Sequence, residues 1–347
     1  MIGSWEQILL RMDANNLVGY GHLYRCLQIL SILCRSGREG IQISVKGEIS
    51  DSAVQVLSDS FEGKVAWRLL QDGLDSKKYD LCLIDTMFDT FDMDFYDIED
   101  LLGCSGCSDT TVLVSSSMDI PNTLPVDYVF GYMLSDRVEP ENYVLRRDLS
   151  YAPISESLFT YREGQEATSE TIENIFISMG GWHDLQPVMQ VLYGLKSCGF
   201  SGKCTVLLSQ DHKNSIESVY EMMQPLQMEF ISGVPDVFQY LSQGDLVICS
   251  YGNLMFESVA LGIPSAVVGL KEFQKNYALH LEKKGIIYFL GEVEAISDKC
   301  IQSMLGAMSY STRQKYSLQN QKIFQKPGIQ LIADEIVEIL NKKSLRV

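Results

Sequence analysis

The chain has 347 residues, 46% of them apolar and 21% charged, which excludes a disordered chain and leaves room for two domains with separate cores. Forty-five acidic against 28 basic side chains give a formal charge of −17, which argues against general nucleic-acid or anionic-membrane binding. The excess is uneven, −13 over residues 1–160 and −4 over 161–347, so a phosphorylated ligand meets less repulsion on the second half.

In the first half, Gln7–Arg11 reads as a strand, followed by a glycine-containing turn and a helix over about Leu23–Ser36. Strand Gln42–Val45, a helix near Ser52–Phe61 and the strands Leu81–Ile84, Thr111–Ser115 and Tyr128–Phe130 follow. The second half repeats the alternation. Its strands are Asn174–Ser178, Lys203–Leu208, Met228–Ile231, Leu246–Ser250 and Ser265–Val268. Between and after them come helices Gln186–Ser197, Ser215–Gln224, Asp236–Gln243, Met255–Leu261 and Gln274–Lys284. Continuous Val/Ile/Leu strands separated by helices indicate parallel sheets covered on both faces. The expected fold is α/β, with two doubly wound Rossmann-like domains facing a central cleft and ligands at the carboxyl ends of the strands. The polar stretch Tyr161–Thr171 marks the boundary between domains 1–160 and 171–327. Residues 328–347 form a closing helix and tail, with Ile329, Ile332, Ile336, Ile339 and Leu340 at helical spacing.

Nine cysteines without a regular framework fit reduced thiols in a cytoplasm. The opening Met-Ile-Gly-Ser-Trp-Glu has no secretion-signal pattern, and no apolar run is long enough to span a bilayer, so no stable membrane insertion is expected. Cys104-Ser105-Gly106-Cys107 is a lone Cys-x-x-Cys without further ligands, and the acidic run Asp85–Asp100 lacks calcium-loop spacing. No metal site is expected from either.

Three turns carry chemistry. Arg11 to His22 runs from a strand into a helix, and Gly19 and Gly21 let the backbone approach a ligand closely. His22 then falls in the first helical turn as a candidate base, although a capping or packing histidine fits the bare Gly-x-Gly-His pattern as well. In the second half, Ser178-Met179-Gly180-Gly181 ends a strand with backbone amides suited to a diphosphate. An ordinary strand-to-helix turn fits that spacing too. His183 is a further possible ligand contact. Ser250, Tyr251, Gly252 and Asn253 lead into a helix whose Glu257 is placed to accept two ribose hydroxyls, or to be a dipole-stabilised carboxylate without a ligand.

Together these turns resemble the nucleotide-sugar hydrolases of pseudaminic acid synthesis, which release UDP from a UDP-linked diacetamido-trideoxy sugar. Those enzymes are similar in fold to the GT-B glycosyltransferases, especially the one that makes lipid II. Arg11, Asp13, Ala14, Gly19, Gly21, His22, Arg25, Cys26 and Leu27 match the family's opening motif, with Val18 replacing Ile. Met179, Gly180, Gly181 and Asp184 match its second motif with one residue inserted. Glu257 with Ala260, Leu261 and Gly262, then Gln274 with Ala278, Leu281 and Gly285, match the nucleoside-binding helix and the segment beyond it. Asp85 matches an Asp-x-Tyr whose Tyr is replaced by Met87; Phe273 replaces an Asn, and Ser155 an Arg. These losses fall on the sugar side, so a related but different sugar is expected.

The resemblance implies a UDP-sugar hydrolase with His22 as general base on the attacking water, Gly180 and Gly181 stabilising the departing diphosphate, and no metal or other cofactor. Arg11, Asp13, Gly19, Gly21, Asp85, Ser250, Tyr251, Gly252, Asn253, Glu257 and Gln274 complete the expected substrate contacts. Asp13 either orients His22 or meets the sugar; Arg11 either pairs with a carboxylate or lines the cleft. A GT-B-like glycosyltransferase using the same UDP-sugar site is the alternative, and a catalytically lapsed nucleotide-sugar binding protein the third reading. The low basic content of the first half favours the hydrolase over a transferase with a membrane acceptor.

Overall fold

The computed structural model describes residues 6–14, 21–35, 40–63, 65–70, 74, 77–85, 98–133, 135–163, 169–180, 184–208, 216–234 and 236–344. The chain divides into two units, 1–155 with 326–347, and 156–325.

In the first unit the elements run β1 (Gln7–Met12), α1 (Gly21–Arg35), β2 (Gln42–Lys46), α2 (Asp51–Phe61), β3 (Ala66–Leu69), β4 (Leu81–Asp85), α3 (Ile98–Gly106), β5 (Thr111–Ser115), β6 (Tyr128–Gly131) and β7 (Val144–Arg147). The sheet is fully parallel, in the order β3-β2-β1-β4-β5-β6-β7. Its central strands are buried on both faces, because helices cover each side. Ile8, Leu10, Leu81, Leu83 and Val112 pack toward α1 and α2, whereas Leu9, Cys82, Ile84 and Leu113 pack toward α3. The C-terminal helix, Gly328–Ser344, belongs to this unit and lays Ile329, Ile332, Ile336 and Leu340 into the α1 face. Glu335 ties it down: it pairs with Arg146 at 2.8 Å and accepts the Tyr151 hydroxyl.

The second unit opens with α4 (Glu156–Glu163) and continues β8 (Asn174–Ser178), α5 (Gln186–Ser197), β9 (Lys203–Leu207), α6 (Ile216–Met223), β10 (Gln227–Ile231), α7 (Phe238–Leu241), β11 (Leu246–Ser250), α8 (Asn253–Leu261), β12 (Ser265–Gly269), α9 (Glu272–Lys283), β13 (Tyr288–Glu292), α10 (Asp298–Ala307) and α11 (Tyr310–Ile323). Its sheet is also parallel throughout, in the order β10-β9-β8-β11-β12-β13. Two doubly wound Rossmann-like units are therefore present, each with strands leaving in opposite directions from a central pair: β1 and β4 in one, β8 and β11 in the other.

Three strands escape the sequence reading: β3, β7 and β13. All sit at sheet edges; Arg68, Arg146 and Arg147 interrupt the apolar pattern of β3 and β7, whereas β13 lies in an apolar run over 286–290 that directly follows a helix. The division of units falls ahead of α4, whereas the polar stretch read as the boundary follows Tyr161.

Gly47 controls how the first sheet ends. Its φ is +146°, and a Cβ there would lie 1.6 Å from the Met12 carbonyl oxygen. Only glycine lets the chain leaving β2 pass that close to β1, where the Glu48 amide then donates to Asp13 at 2.8 Å. Gly47→Ala is expected to destabilise the first unit by about 3 kcal/mol. Urea unfolding followed by tryptophan fluorescence checks this, and an unchanged midpoint would contradict it.

Candidate functional site

In the first unit, β1 and β4 pair with Met12 opposite Asp85, so Asp85 ends β4 at the point where the strand order reverses. Helix α1 starts beside it and presents His22 in its first turn. Asp85 is fully buried. Its Oδ1 lies 2.7 Å from His22 Nδ1, Arg25 forks onto both carboxylate oxygens, and Cys26 Sγ approaches Oδ2 at 3.7 Å. Burial pushes the Asp85 carboxyl up, but the Arg25 and His22 side chains outweigh it and hold it down at about 2. An ionised carboxylate only accepts hydrogen bonds, so Nδ1 of His22 carries the shared hydrogen and Nε2 is the ring nitrogen that can take a proton. The arrangement is an orienting carboxylate behind an imidazole, the pattern of an activated base.

Both oxygens of Asp85, expected as a substrate contact, are engaged by Arg25 and His22. Asp13 is not the orienting group: it bonds Arg11 at 2.8 Å and the Glu48 amide. Arg11 pairs with Asp13 and, through Nε at 2.6 Å, with Asp100, which Lys46 also reaches. Burial raises the Asp100 carboxyl, while its hydrogen bonds from Arg11 and Lys46 bring it below the usual range. Gly21 begins α1. Gly19 and Met87 lie outside the described residues. Sequence reasoning matched Arg25 to a motif without giving it a role, and missed Tyr132, whose hydroxyl accepts from Arg25 at 3.1 Å.

In the second unit, a cavity of about 500 Å³ opens at the carboxyl ends of β8 and β11, again at the reversal of strand order. Gly180, Ser250, Tyr251, Gly252, Asn253, Glu257 and Gln274 line it, so these expected contacts come together; Ser178, Met179, Leu254, Leu270 and Lys271 join them. Helix α8 starts at this cavity, and Gly252 before it gives no side-chain cap to the first-turn amides. Such amides favour an anion, and Lys271 adds positive charge at the wall. Glu257 stands one turn into α8, half-buried, with no hydrogen bond or ion pair to another described residue. Desolvation alone pushes its carboxyl up to about 7.

Two expected contacts are also bonded within the protein. Gln274 Oε1 accepts from the Leu270 amide at 2.8 Å and its Nε2 donates to the Tyr251 carbonyl at 3.1 Å. It ties two cavity loops together and keeps a second amide hydrogen on the cavity lining. Gly180 holds φ at +64°, but its amide donates to Ser178 Oγ at 3.2 Å, so the turn first binds itself. Gly181 and His183 lie outside the described residues.

No protein-family model matches the chain, and no curated protein sequence matches it. Solved structures do share its fold. MurG of Acinetobacter baumannii aligns with a TM-score of 0.68 at 14% identity, over 96% of this chain and 99% of that one. UGT2 of Phytolacca americana, solved with UDP-2-fluoro-glucose and pterostilbene, gives 0.63 at 10% identity over 96% and 99%. CalG4, the calicheamicin glycosyltransferase, gives 0.63 at 11% over 97% and 98%. The fold is thus that of the GT-B glycosyltransferases, two Rossmann-like units in one chain. No helix among the described residues is long and apolar enough to cross a membrane.

The lone Glu257 carboxylate makes a pH prediction. In the unfolded chain it ionises near 4.5, in the folded cavity near 7, so the folded state holds the extra proton between those values. Stability of the ligand-free second unit should therefore fall as pH rises from about 4.5 to 7, by up to about 3 kcal/mol. Glu257→Gln should remove that slope in chemical-denaturation curves; a slope unaffected by the substitution would contradict the assignment.

Proposed function

We propose that the chain is a nucleotide-sugar-dependent glycosyltransferase, with the second unit's cavity holding a UDP-type nucleotide and His22 acting as general base on the acceptor hydroxyl. The observation carrying this reading is the cavity at the β8/β11 reversal, which joins uncapped helix amides to a carboxylate lacking a partner among the described residues. Anionic phosphate suits the amides, and a ribose diol suits the carboxylate. The shared GT-B fold supports it. In this scheme the nucleophile's O–H gives its hydrogen to His22 Nε2 as oxygen attacks the anomeric carbon. The bond from that carbon to the diphosphate breaks, and the nucleotide leaves as an anion without needing a general acid. Gly180, Ser250, Tyr251, Gly252 and Asn253 would form the nucleotide cradle, with Gln274 holding its walls. Gly181 completes that cradle in the sequence motif.

A second reading has water as the nucleophile, making the chain a UDP-sugar hydrolase of the pseudaminic acid type in the cytoplasm. The dense match of Arg11 through Leu27 to that family's opening motif favours it. The base and nucleotide contacts are the same in both readings; the acceptor decides between them.

UDP-linked amino and neutral sugars incubated with the purified chain, with and without sugar acceptors, separate the readings. Transfer predicts UDP release that depends on acceptor; stoichiometric free sugar without acceptor identifies the hydrolase; no turnover with any donor contradicts both. His22→Asn should abolish turnover while leaving UDP affinity within about threefold, since the ring acts on the nucleophile. Glu257→Ala should weaken UDP binding by about 1.5–3 kcal/mol, and calorimetry showing unchanged affinity would move the nucleoside elsewhere.

A further inference from the structure

His22 and Arg25 lie three residues apart on one face of α1 and reach the same carboxylate. Arg25 places Nε on Asp85 Oδ2 and Nη2 on Oδ1, and that Nη2 also lies 3.0 Å from His22 Nδ1. Its Nη1 donates to Tyr132 at 3.1 Å. His22, Arg25, Asp85 and Tyr132 are all buried, with exposures of 7% or less. The described groups facing this cluster are Cys26 from α1, Asp85 from β4, and Tyr132 following β6, itself hydrogen-bonded to Ser116.

A buried carboxylate opposed to an imidazole alone would hold a full negative charge against the ring and draw a second proton onto it. Arg25 cancels that charge. With Asp85 it sums to zero, and a proton added to the ring would sit beside a buried guanidinium. We propose that Arg25 is a positioning residue for His22: it holds Asp85 as an oriented, charge-balanced acceptor, so that the ring keeps one hydrogen on Nδ1 and leaves Nε2 able to take the nucleophile's hydrogen. Lysine cannot substitute fully, because a point charge cannot occupy both carboxylate oxygens side-on. The inference rests on the reading of His22 as the base.

The test uses the full chain labelled with ¹⁵N-histidine; its four histidines make the His22 signals assignable by comparison with His22→Asn. In Arg25→Met, the doubly protonated signature of His22 should persist to a pH higher by about one unit or more, and the acid limb of kcat/KM should move with it. At pH 7, kcat should fall at least about tenfold while KM for the nucleotide sugar stays within about threefold. Arg25→Lys should restore the titration but only part of kcat. If Arg25→Met does not fold, Arg25→Gln, which keeps a donor and removes the charge, carries the same readout. A His22 titration unchanged in the folded, charge-removed variant overturns the proposal. A shifted titration with unchanged turnover upholds the role of Arg25 and removes His22 from the chemistry.

Discussion

A strand packed between two layers of helices has no room for an unsatisfied polar group except where it ends. Both sheets here are parallel, and their central strands are buried along their length. Asp85, Ser178 and Ser250 are the last residues of β4, β8 and β11. Each stands beside the reversal of strand order, where neighbouring connections turn away from each other and leave a gap. The candidate base and the second unit's cavity occupy corresponding places in their own sheets because one packing constraint acts on both.

Two carboxylates show how such positions diverge chemically. Asp85 is enclosed by Arg25, His22 and Cys26, and is held ionised at about 2. Glu257 has no partner among the described residues, and burial lifts it to about 7. The first is complete within the protein, with both oxygens engaged. The second can gain by binding donors from elsewhere, and a ribose offers two of them. Environment sorts one residue class into a fully bonded carboxylate and one open to a cavity.

Much of the architecture was legible from the sequence because central strands and amphipathic helices announce themselves. Thr111–Ser115, Asn174–Ser178 and Leu246–Ser250 agree residue for residue with β5, β8 and β11. Edge strands β3 and β7 did not show, since half-exposed strands tolerate Arg, and β13 was missed despite its apolar run over 286–290. Helix α11 was hidden for another reason. Its buried positions include Arg313 and Asn320, which bond the carbonyls of Ser169, Glu170 and Ile286, so it carries no apolar stripe. The glycine turns identified both candidate sites. The pairing of His22 with Asp85, 63 positions apart, is a product of sheet order and has no local signal. Nor could spacing reveal that the Gln274 amide bridges the Leu270 and Tyr251 backbone.

The proposed activity requires the second unit to hold a nucleoside diphosphate at the β8/β11 reversal. The most direct measurement is a crystal structure of the chain with UDP bound. The expected result places the ribose hydroxyls on Glu257 and the phosphates at the first turn of α8. A nucleotide seated away from that cavity, or one whose ribose makes no contact with Glu257, would contradict it.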